Sequence, residues 1–325
     1  MLNVGVYGLG GWGKRLVAAV QGKSDKIRVV ACAARTRSSV EQFARDNGID
    51  IVEDYPALLK DSRVQGVILA TPHTLHPVHV QQAARAGKHV FVEKPLSLNA
   101  AAAAETVRVC REQGVKLGVG FNRRFRPAMQ ELRRLATSGS LGRLLHLEGQ
   151  FSGAPGSRTP GSWRVSRAEN PGGGMTARGV HVADAMISIA GPVSEVLVES
   201  SRNVTTAEHD DRTSMLLRFA SGVTGYLATL SAGPDFWRVH VFGEKGWAEV
   251  RDESLLTVCA EQGAKPAVTE YPATDTLKAG LEAFADAVAG GAPHPVTPED
   301  AVNSSAVLGA IEKSAAGGSW VKLTS

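Results

Sequence analysis

The chain opens with the stretch Leu2-Asn-Val-Gly-Val-Tyr-Gly-Leu-Gly-Gly-Trp-Gly13, an apolar run that passes directly into Gly-x-Gly-x-x-Gly. The apolar half predicts a strand, and residues 14–20 predict a helix with an inward apolar face. In this order Gly8 makes the tight turn, Gly10 admits a pyrophosphate to the backbone, and Gly13 lets the helix pack on the strand. The helix N-terminus then offers N–H groups to the anion. The predicted dinucleotide contacts are Gly8, Gly10, Gly11, Trp12 and Gly13.

The second predicted strand, residues 27–33, ends in Ala34-Arg35-Thr-Arg37-Ser38. A site that prefers NAD carries Asp or Glu here, about 20 residues past the glycines, to bind the ribose 2′-hydroxyl. This chain has an alanine and two arginines instead, and a guanidinium offers a bidentate fork to a 2′-phosphate. Arg35, Thr36 and Arg37 therefore predict NADP as the cofactor, with NAD less favoured.

Another predicted strand, residues 64–70, is followed by Thr71-Pro-His-Thr-Leu-His-Pro-Val-His79. Three histidines spaced by three residues raise the alternative of a zinc site. Pro72 and Pro77 break the segment into a loop and a helix start, so the histidines share no helical face and we predict no metal. The sequence predicts instead a loop that contacts the cofactor. The predicted contacts are Thr71, Pro72, His73 and His76.

The stretch Lys88-His-Val-Phe-Val-Glu-Lys-Pro-Leu-Ser97 contains a short buried strand, residues 89–92, that stops on a charged pair and a proline. In an open parallel sheet, ligands bind at the carboxyl ends of the strands. Glu93 and Lys94 are therefore predicted to lie at the cofactor site. The alternative is a surface lysine that merely ends a strand.

The bulk properties restrict the class of protein. A chain of 325 residues with 43% hydrophobic and 21% charged residues is typical of a soluble protein of about two domains. The net charge of +4 is spread without blocks of Lys or Arg, which predicts neither a nucleic-acid nor a membrane partner. Cys32, Cys110 and Cys259 are scattered, as in reduced cytoplasmic proteins, and no signal peptide or membrane-spanning run is apparent.

Short strand patterns with glycine turns fill residues 144–258, and helical patterns follow at residues 277–289 and 298–315. The predicted fold class is α/β, with an N-terminal Rossmann domain over residues 1–122. The C-terminal α/β domain, residues 123–325, is predicted to contain a mixed, mostly antiparallel open sheet. Helices cover one face of such a sheet, and an apolar second face predicts a homodimer or homotetramer.

Three motifs, at residues 70–76, 86–96 and 120–125, closely resemble the Gfo/Idh/MocA family, which includes glucose–fructose oxidoreductase and inositol dehydrogenases. The resemblance covers essentially the whole chain. It implies that Lys94 lies beside the nicotinamide and the reacting oxygen of the substrate, and that Arg123 lies near the substrate. The family usually has Asn where this chain has His73.

A further motif, Pro171-Gly-Gly-Gly-Met-Thr-Ala-Arg-Gly-Val-His-Val-Ala-Asp184, predicts a glycine-rich loop entering a helix. His181 and Asp184 share a face of that helix. The family pattern resembles Gly-Gly-x-Leu-x-Asp-x-Gly-x-His-x-x-Asp, and the resemblance implies that His181 assists proton transfer. Ala177 replaces the first acid of the pattern, with Arg178 beside it. The expected catalytic pair is therefore Lys94 and His181.

These residues predict reversible hydride transfer between NADP and a secondary alcohol of a sugar, cyclitol or related polyol. Two alternatives remain at this point. A ring dihydrodiol of an aromatic acid would use Arg123, Arg164 and Arg178 to hold the carboxylate. A non-catalytic nucleotide-sensing regulator is favoured by Ala177 and opposed by the intact catalytic pair. The predicted substrate contacts are Lys94, Arg123, Trp163, Arg164, Arg178, His181 and Asp184.

Overall fold

The computed structural model describes residues 1–154, 162–206 and 208–323. By their backbone contacts these residues divide into two compact units. The nucleotide unit comprises Met1–Ser97, Ala101–Asn122 and Asp275–Pro298, and the sheet unit comprises Leu98–Ala100, Arg123–Thr274 and Glu299–Ser325. The sequence prediction divided the chain once, after residue 122. In the structure the chain returns to the nucleotide unit for a segment of its C-terminal third.

The strands are β1 (Leu2–Tyr7), β2 (Ile27–Ala33), β3 (Asp50–Ile51), β4 (Gly66–Leu69), β5 (His89–Val92), β6 (Leu117–Val119), β7 (Leu144–Ser152), β8 (Val193–Ser201), β9 (Arg212–Phe219), β10 (Thr224–Leu230), β11 (Phe236–Gly243), β12 (Trp247–Arg251), β13 (Leu255–Cys259), β14 (Ala267–Glu270) and β15 (Val321–Lys322). The helices are α1 (Gly11–Val20), α2 (Glu41–Asp46), α3 (Tyr55–Lys60), α4 (His76–Arg85), α5 (Ala100–Glu112), α6 (Pro127–Thr137), α7 (Val180–Ala190), α8 (Thr276–Val288), α9 (Pro298–Gly309) and α10 (Ile311–Gly317).

The nucleotide unit is built on a six-stranded sheet with the order β3-β2-β1-β4-β5-β6. Each neighbouring pair in it runs parallel. The chain order reverses between β1 and β4, which is the switch point where an open α/β sheet forms its ligand crevice. The predicted Rossmann architecture is confirmed. All strands present their carboxyl ends, and hence the predicted cofactor residues that follow them, at one edge.

The core of the nucleotide unit includes a helix from late in the chain. Leu281 and Phe284 of α8 are fully buried in one apolar cluster with residues of β1, β2 and α1. The Phe284 ring lies with its centroid 5.8 Å from that of Phe91 on β5. Gly118 on β6 leaves room for both rings, since a Cβ there would lie 3.1 Å from each. The helix α8 is thus part of the Rossmann packing.

The sheet unit contains a nine-stranded sheet with the order β14-β13-β12-β11-β7-β10-β9-β8-β15. Only β7 and β10 pair in parallel among these neighbours, so the predicted mixed, mostly antiparallel sheet is confirmed. One face packs on helices: a Cβ on Gly149 of β7 would lie 2.2 Å from Val182 of α7. Alternate residues point to the opposite face, where Leu216 and Tyr226 are 45% and 38% exposed.

Sequence periodicity predicted three strands of the nucleotide unit with their observed ends, at residues 2–7, 27–33 and 89–92. The single helix expected over residues 298–315 is wrong, since the structure breaks it into α9 and α10. A Cβ on Gly309 at the break would lie 3.1 Å from Cα of Asn99, so backbone packs closely there.

The helix α3 was not predicted, although its start carries a local signal. The Asp54 carboxylate caps the helix by accepting a hydrogen bond from the N–H of Ala57 at 2.7 Å, and a proline stands in the first turn. The edge strands β14 and β15 were also not predicted. The residues of β14 are all exposed, so no alternation marks it in the sequence.

Replacing Phe284 by Ala tests whether α8 stabilises the nucleotide unit. We expect the free energy of unfolding to fall by about 3–5 kcal/mol, the usual cost of removing a buried phenylalanine. Hydrogen exchange measured by mass spectrometry should accelerate in β1, β4 and β5. Val268→Ala is the control, because Val268 is 66% exposed. Faster exchange confined to the strands of the sheet unit would contradict the packing of α8.

Candidate active site

Two glycines allow the backbone to turn from β1 directly into α1. Gly8 has a φ of +99°, and a Cβ on it would lie 2.6 Å from the Ala70 carbonyl after β4. A Cβ on Gly13 would lie 2.2 Å from the carbonyl oxygen of Gly8. A side chain at either position would separate helix from strand. The sequence assigned both glycines these roles, and the contacts supply the steric reason.

Gly10 and Gly11 face open space instead. A Cβ on either would meet no described atom within 4 Å. Gly10 is the N-cap residue of α1 and Gly11 is its first residue, so the first N–H groups of the helix have no acceptor within the helix. The half-buried Trp12 follows, with the guanidinium of Arg15 5.6 Å from its ring centroid. This open, N–H-lined cradle fits the diphosphate of a dinucleotide.

The carboxyl end of β2 carries exposed cationic side chains. Arg35, Thr36 and Arg37 are all exposed, and Arg37 Nε lies 3.5 Å from a carboxylate oxygen of Glu41. No acidic residue stands between positions 33 and 40. Since β2 is the neighbour of β1, these arginines lie beside the glycine turn in the sheet order. The arrangement fits a phosphorylated ribose.

Several of the residues that follow β4 are buried, and the histidines among them make different contacts. Thr71 and His73 are 8% and 5% exposed, and His76 is fully buried. Both ring nitrogens of His76 lie within hydrogen-bond distance of backbone carbonyl oxygens, those of Pro95 and Thr71. His79 Nδ1 lies 3.2 Å from Thr71 Oγ1, and burial lowers the pKa of His79 to about 4. Pro72 lies at the start of this loop.

No group of three or more His, Cys, Asp or Glu side chains within residues 1–154, 162–206 and 208–323 is arranged to hold a metal ion. The rings of His73 and His76 lie 5.8 Å apart at a steep angle and present edge to face. The geometry of these two rings is that of packed aromatic neighbours.

Lys94 is the second residue after β5, beyond Glu93, and it is half-buried. Its neighbour Glu93 is 6% exposed and takes a different direction. A Cβ on Gly120, just after β6, would lie 2.7 Å from Glu93 Oε1. The Glu93 carboxylate therefore lies over the end of the neighbouring strand. The Glu93 carboxylate thus lies toward the neighbouring strand β6, and Lys94 lies near the carboxyl end of β5.

In the sheet unit, glycines bring the motif around His181 against the sheet. Gly173 has a φ of +55°, and a Cβ on it would lie 1.8 Å from the carbonyl oxygen of Asp210. A π-helical turn, Met175–Gly179, then leads into α7. His181 lies in the first turn of α7, is 5% exposed, and its ring centroid is 6.4 Å from that of Phe151. Ala177 lies within the π-helical turn.

Two guanidinium groups surround the Phe151 ring. Arg123 lies 4.4 Å from its centroid and 5.1 Å from that of Trp237, and its Nε donates to Glu253. Arg178 lies 5.9 Å from the Phe151 centroid, and its Nη2 donates to the Ala154 carbonyl at 2.6 Å. Burial lowers the pKa of both arginines. Each arginine has a carboxylate nearby, since Glu253 contacts both Arg123 and Arg126, and Asp235 lies near Arg178.

The sequence did not predict Phe151, Trp237 or Glu253 as members of this cluster. They come from three separate strands or turns, and no motif connects them in the chain. Glu253 has a φ of +65° in the turn after β12, a conformation that is unusual for a residue with a side chain. That turn brings its carboxylate to Arg123.

Asp184 has a partner that the sequence did not indicate. Arg124 Nε and Nη2 donate to its two carboxylate oxygens, each at 2.7 Å, and Arg124 Nη1 lies 2.9 Å from Asp300. Asp184 is 1% exposed. Burial raises its pKa to about 6, and Arg124 opposes the rise by stabilising the carboxylate. The pair holds α7 to the turn after residue 122, so Asp184 lies in the interior.

Trp163 and Arg164 lie in a short 3₁₀ turn, with the Arg164 guanidinium 4.3 Å from the Trp163 ring centroid. Arg164 is exposed and Trp163 is half-buried. The side chain of Asn170 donates to the Arg164 carbonyl at 3.1 Å, which anchors the turn to the start of the glycine-rich loop.

Two family models match the chain. Residues 2–121 match an oxidoreductase family with an NAD-binding Rossmann fold, Gfo/Idh/MocA, and residues 129–249 match the Gfo/Idh/MocA C-terminal domain. The chain belongs to the Gfo/Idh/MocA family of NAD(P)-dependent oxidoreductases. The resemblance drawn from the sequence motifs is therefore confirmed, and so is the expectation of an enzyme.

Individual relatives agree with this class. The chain is 32% identical to trans-1,2-dihydrobenzene-1,2-diol dehydrogenase of Mus musculus, over 70% of this chain and 68% of that protein. It is 27% identical to inositol 2-dehydrogenase of Rhizobium meliloti, over 97% of each. Among solved structures, the aldose-aldose oxidoreductase of Caulobacter crescentus superposes with a TM-score of 0.88 at 25% identity, over 99% of each chain. No helix in the described residues is long and apolar enough to cross a membrane.

Proposed function

We propose that the protein is an NADP-dependent dehydrogenase that oxidises a secondary alcohol of a sugar, cyclitol or related polyol, and that reduces the ketone in reverse. The observation that carries the proposal is Lys94, two residues beyond the carboxyl end of β5, in a sheet whose first strand ends in an open glycine cradle. Two relatives are named for an inositol and for a dihydrobenzene diol. Both names describe rings that carry secondary alcohols.

Lys94 and His181 are the proposed catalytic residues. The nicotinamide of the bound cofactor supplies the hydride acceptor or donor. The imidazole of His181 accepts the proton of the alcohol, since imidazole exchanges protons near neutral pH. The ammonium of Lys94 donates a hydrogen bond to the reacting oxygen and stabilises the negative charge that develops there.

The Arg124–Asp184 pair gives His181 a fixed orientation in this proposal. Asp184 follows His181 by three residues on α7, and Arg124 binds both of its carboxylate oxygens. A bidentate, buried ion pair fixes direction as well as distance. Asp184 therefore acts through His181 rather than on the substrate itself.

A specific observation favours a second candidate, oxidation of a ring dihydrodiol that carries a carboxylate. The Nη1 atom of Arg178 is buried and meets no acceptor among the described residues. The aromatic rings of Phe151 and Trp237 lie nearby. Arg123 is paired with Glu253, which Arg126 also contacts, whereas this donor of Arg178 is available to a ligand.

A panel of polyols, aldoses, cyclitols and dihydrodiols, with and without a carboxylate, distinguishes the candidates. Turnover is followed as NADPH absorbance at 340 nm. Activity restricted to carboxylated diols, with a KM that rises in Arg178→Met, supports the second candidate. Activity on neutral polyols that Arg178→Met leaves intact supports the first. A panel without turnover argues against both.

We further propose a cytoplasmic location and no nucleic-acid or membrane partner. Cys32, Cys110 and Cys259 are buried free thiols, as expected in a reducing compartment. Burial raises the pKa of Cys32 and of Cys110 to about 11, so both thiols stay protonated and unreactive.

The arginines after β2 set the expected choice of cofactor. NADP should bind more tightly than NAD, and Arg35→Asp should erode or reverse the preference by about 10- to 100-fold, because each charge-assisted contact contributes about 1.5–3 kcal/mol. Isothermal titration calorimetry with both cofactors measures the dissociation constants. Arg28→Asp is the matched control, an exposed arginine toward the other end of β2. Equal constants in the unmodified protein would contradict the assignment.

The second prediction concerns the chemistry. Lys94→Ala should keep the NADP dissociation constant within a few-fold and lower kcat about 10²–10³-fold. His181→Ala should lower kcat about 10²–10⁴-fold and remove the acid limb of the pH–rate profile, because the neutral imidazole is the proposed base. The double variant should lose less than the product of the two effects, since both residues act on one oxygen.

Initial rates with a substrate from the panel measure these effects. Lys88→Ala is the matched control, because Lys88 lies just before β5 at the opposite end of the strand from Lys94, where it donates to two backbone carbonyls. Its kcat should stay near that of the unmodified protein. Near-normal turnover in Lys94→Ala would exclude the proposed role of that lysine.

The third prediction concerns assembly through the outward face of the sheet in the sheet unit. On this face Tyr226 of β10 pairs directly with Leu216 of β9, and Leu230 is 40% exposed. We propose that the face joins two or four copies, since exposed apolar side chains on paired strands gain from burial. Leu216→Glu with Tyr226→Glu should yield a 34.2 kDa monomer in light scattering. Val268→Glu on β14 should leave the assembly intact, and a monomeric unmodified protein at micromolar concentration would refute the interface.

A further inference from the structure

One buried side chain, His76, joins two segments of the nucleotide unit. Its Nδ1 lies 2.7 Å from the carbonyl oxygen of Pro95, and its Nε2 lies 2.9 Å from the carbonyl oxygen of Thr71. The side chain is 0% exposed, in the first turn of α4. The two contacts lie on opposite sides of the ring, so the imidazole bridges the loop after β4 and the segment after β5.

Both partners of the His76 ring are hydrogen-bond acceptors. A carbonyl oxygen can only accept, so each ring nitrogen at this distance has to donate. A neutral imidazole carries one N–H and would direct a lone pair at the second carbonyl, leaving a buried acceptor opposite another acceptor. A ring that satisfies both contacts carries a proton on each nitrogen. The geometry therefore points to an imidazolium cation.

The two carbonyls belong to segments that matter for the proposed reaction. Pro95 is the residue after Lys94, so its carbonyl fixes the backbone that carries the lysine. Thr71 follows Ala70, whose carbonyl closely approaches Gly8 in the nucleotide-binding turn. One imidazolium thus fixes the distance between the backbone at Pro95, next to Lys94, and the backbone at Thr71, next to the glycine turn.

We propose that His76 is a buried imidazolium that positions Lys94 relative to the turn at Thr71. The positioning part rests on the role of Lys94 in the proposed function, whereas the charge state of His76 does not. In this proposal His76 acts through the backbone segment that carries Lys94, so it is a positioning residue.

The ionisable neighbours of His76 lie on the segments that it joins. His73 and His79 flank it in the chain, with the His73 ring centroid 5.8 Å from that of His76, and Glu93 and Lys94 precede Pro95 in the chain. The pKa of His79 falls to about 4, chiefly through burial and further through the nearby charge of His76. His79 therefore stays neutral at physiological pH. In this proposal the positive charge in this region is on the His76 ring.

The charge state is tested directly on the unmodified protein. In full-length protein labelled with ¹⁵N-histidine, His76→Gln identifies the signals of His76 by their loss. Both ring nitrogens of His76 should show the protonated chemical shift at pH 8. His89 is the internal control, because its Nδ1 accepts the N–H of Lys116 and should show one unprotonated nitrogen. One unprotonated nitrogen in His76 at pH 8 would overturn the proposal.

The positioning role is tested with two substitutions. His76→Gln keeps an amide with two N–H donors, and His76→Leu removes both. His76→Leu should lower kcat about 10- to 100-fold, the effect of a displacement of about 1 Å, while His76→Gln should recover most of the rate. In the Lys94→Ala background, His76→Leu should cause no further fall, since its effect passes through the lysine. A multiplicative loss in that background would overturn the positioning role.

The chemical reactivity of the Lys94 amine depends on its surroundings and can be measured without a substrate. Acetic anhydride labelling, followed by mass spectrometry, should change several-fold at Lys94 in His76→Leu and stay constant at Lys88. His89→Gln is the folding control, since it loses a backbone contact at the other end of β5. Unchanged Lys94 labelling in a folded His76→Leu protein would overturn the positioning role even if no substrate is found. Failure of the substrate panel together with an imidazolium at His76 would instead overturn the proposed function alone.

Discussion

The close approach of Gly8 to the carbonyl of Ala70 is the contact on which the nucleotide unit depends. It exists because β1 and β4 are parallel neighbours whose ends meet where the strand order reverses. Because Gly8 has no side chain, the turn can contact the backbone at the end of β4. The helix α1 then begins at Gly11, where a Cβ would meet no described atom within 4 Å. The ends of β2, β4 and β5 lie at the same end of the parallel sheet as this turn, so the residues proposed to contact the cofactor follow strands that end together.

In the sheet unit, buried ion pairs add to the close packing of the glycine-rich loop. Arg124 binds Asp184 and Asp300, and Arg123 binds Glu253 against two aromatic rings. Ionic groups that are removed from water keep their partners firmly, because a lone buried charge is far less stable than a pair. The first network fixes the helix of His181. In the second network, Glu253 is shared by Arg123 and Arg126 beside the Phe151 and Trp237 rings.

Much of the nucleotide unit could be predicted from its sequence, because glycine spacing and short apolar runs are local signals. The directions of Glu93 and His76 could not, since both depend on neighbouring strands that are distant in the chain. The sequence grouped Asp184 with the substrate, and its partnership with Arg124 joins residues 60 positions apart. The aromatic and acidic members around Arg123 likewise come from separate strands. Local patterns locate strand ends, and only the fold decides which side chains meet there.

The membership of α8 in the nucleotide unit has a consequence for how the gene can be divided. The polypeptide crosses from the nucleotide unit to the sheet unit and later returns, so the Rossmann packing is completed only after most of the sheet unit has been synthesised. A fragment that stops at residue 122 leaves the apolar surface under α8 bare. Natural recombination that swaps cofactor preference between relatives must therefore either exchange two separate gene segments or keep the recipient's α8 compatible with the donor's sheet.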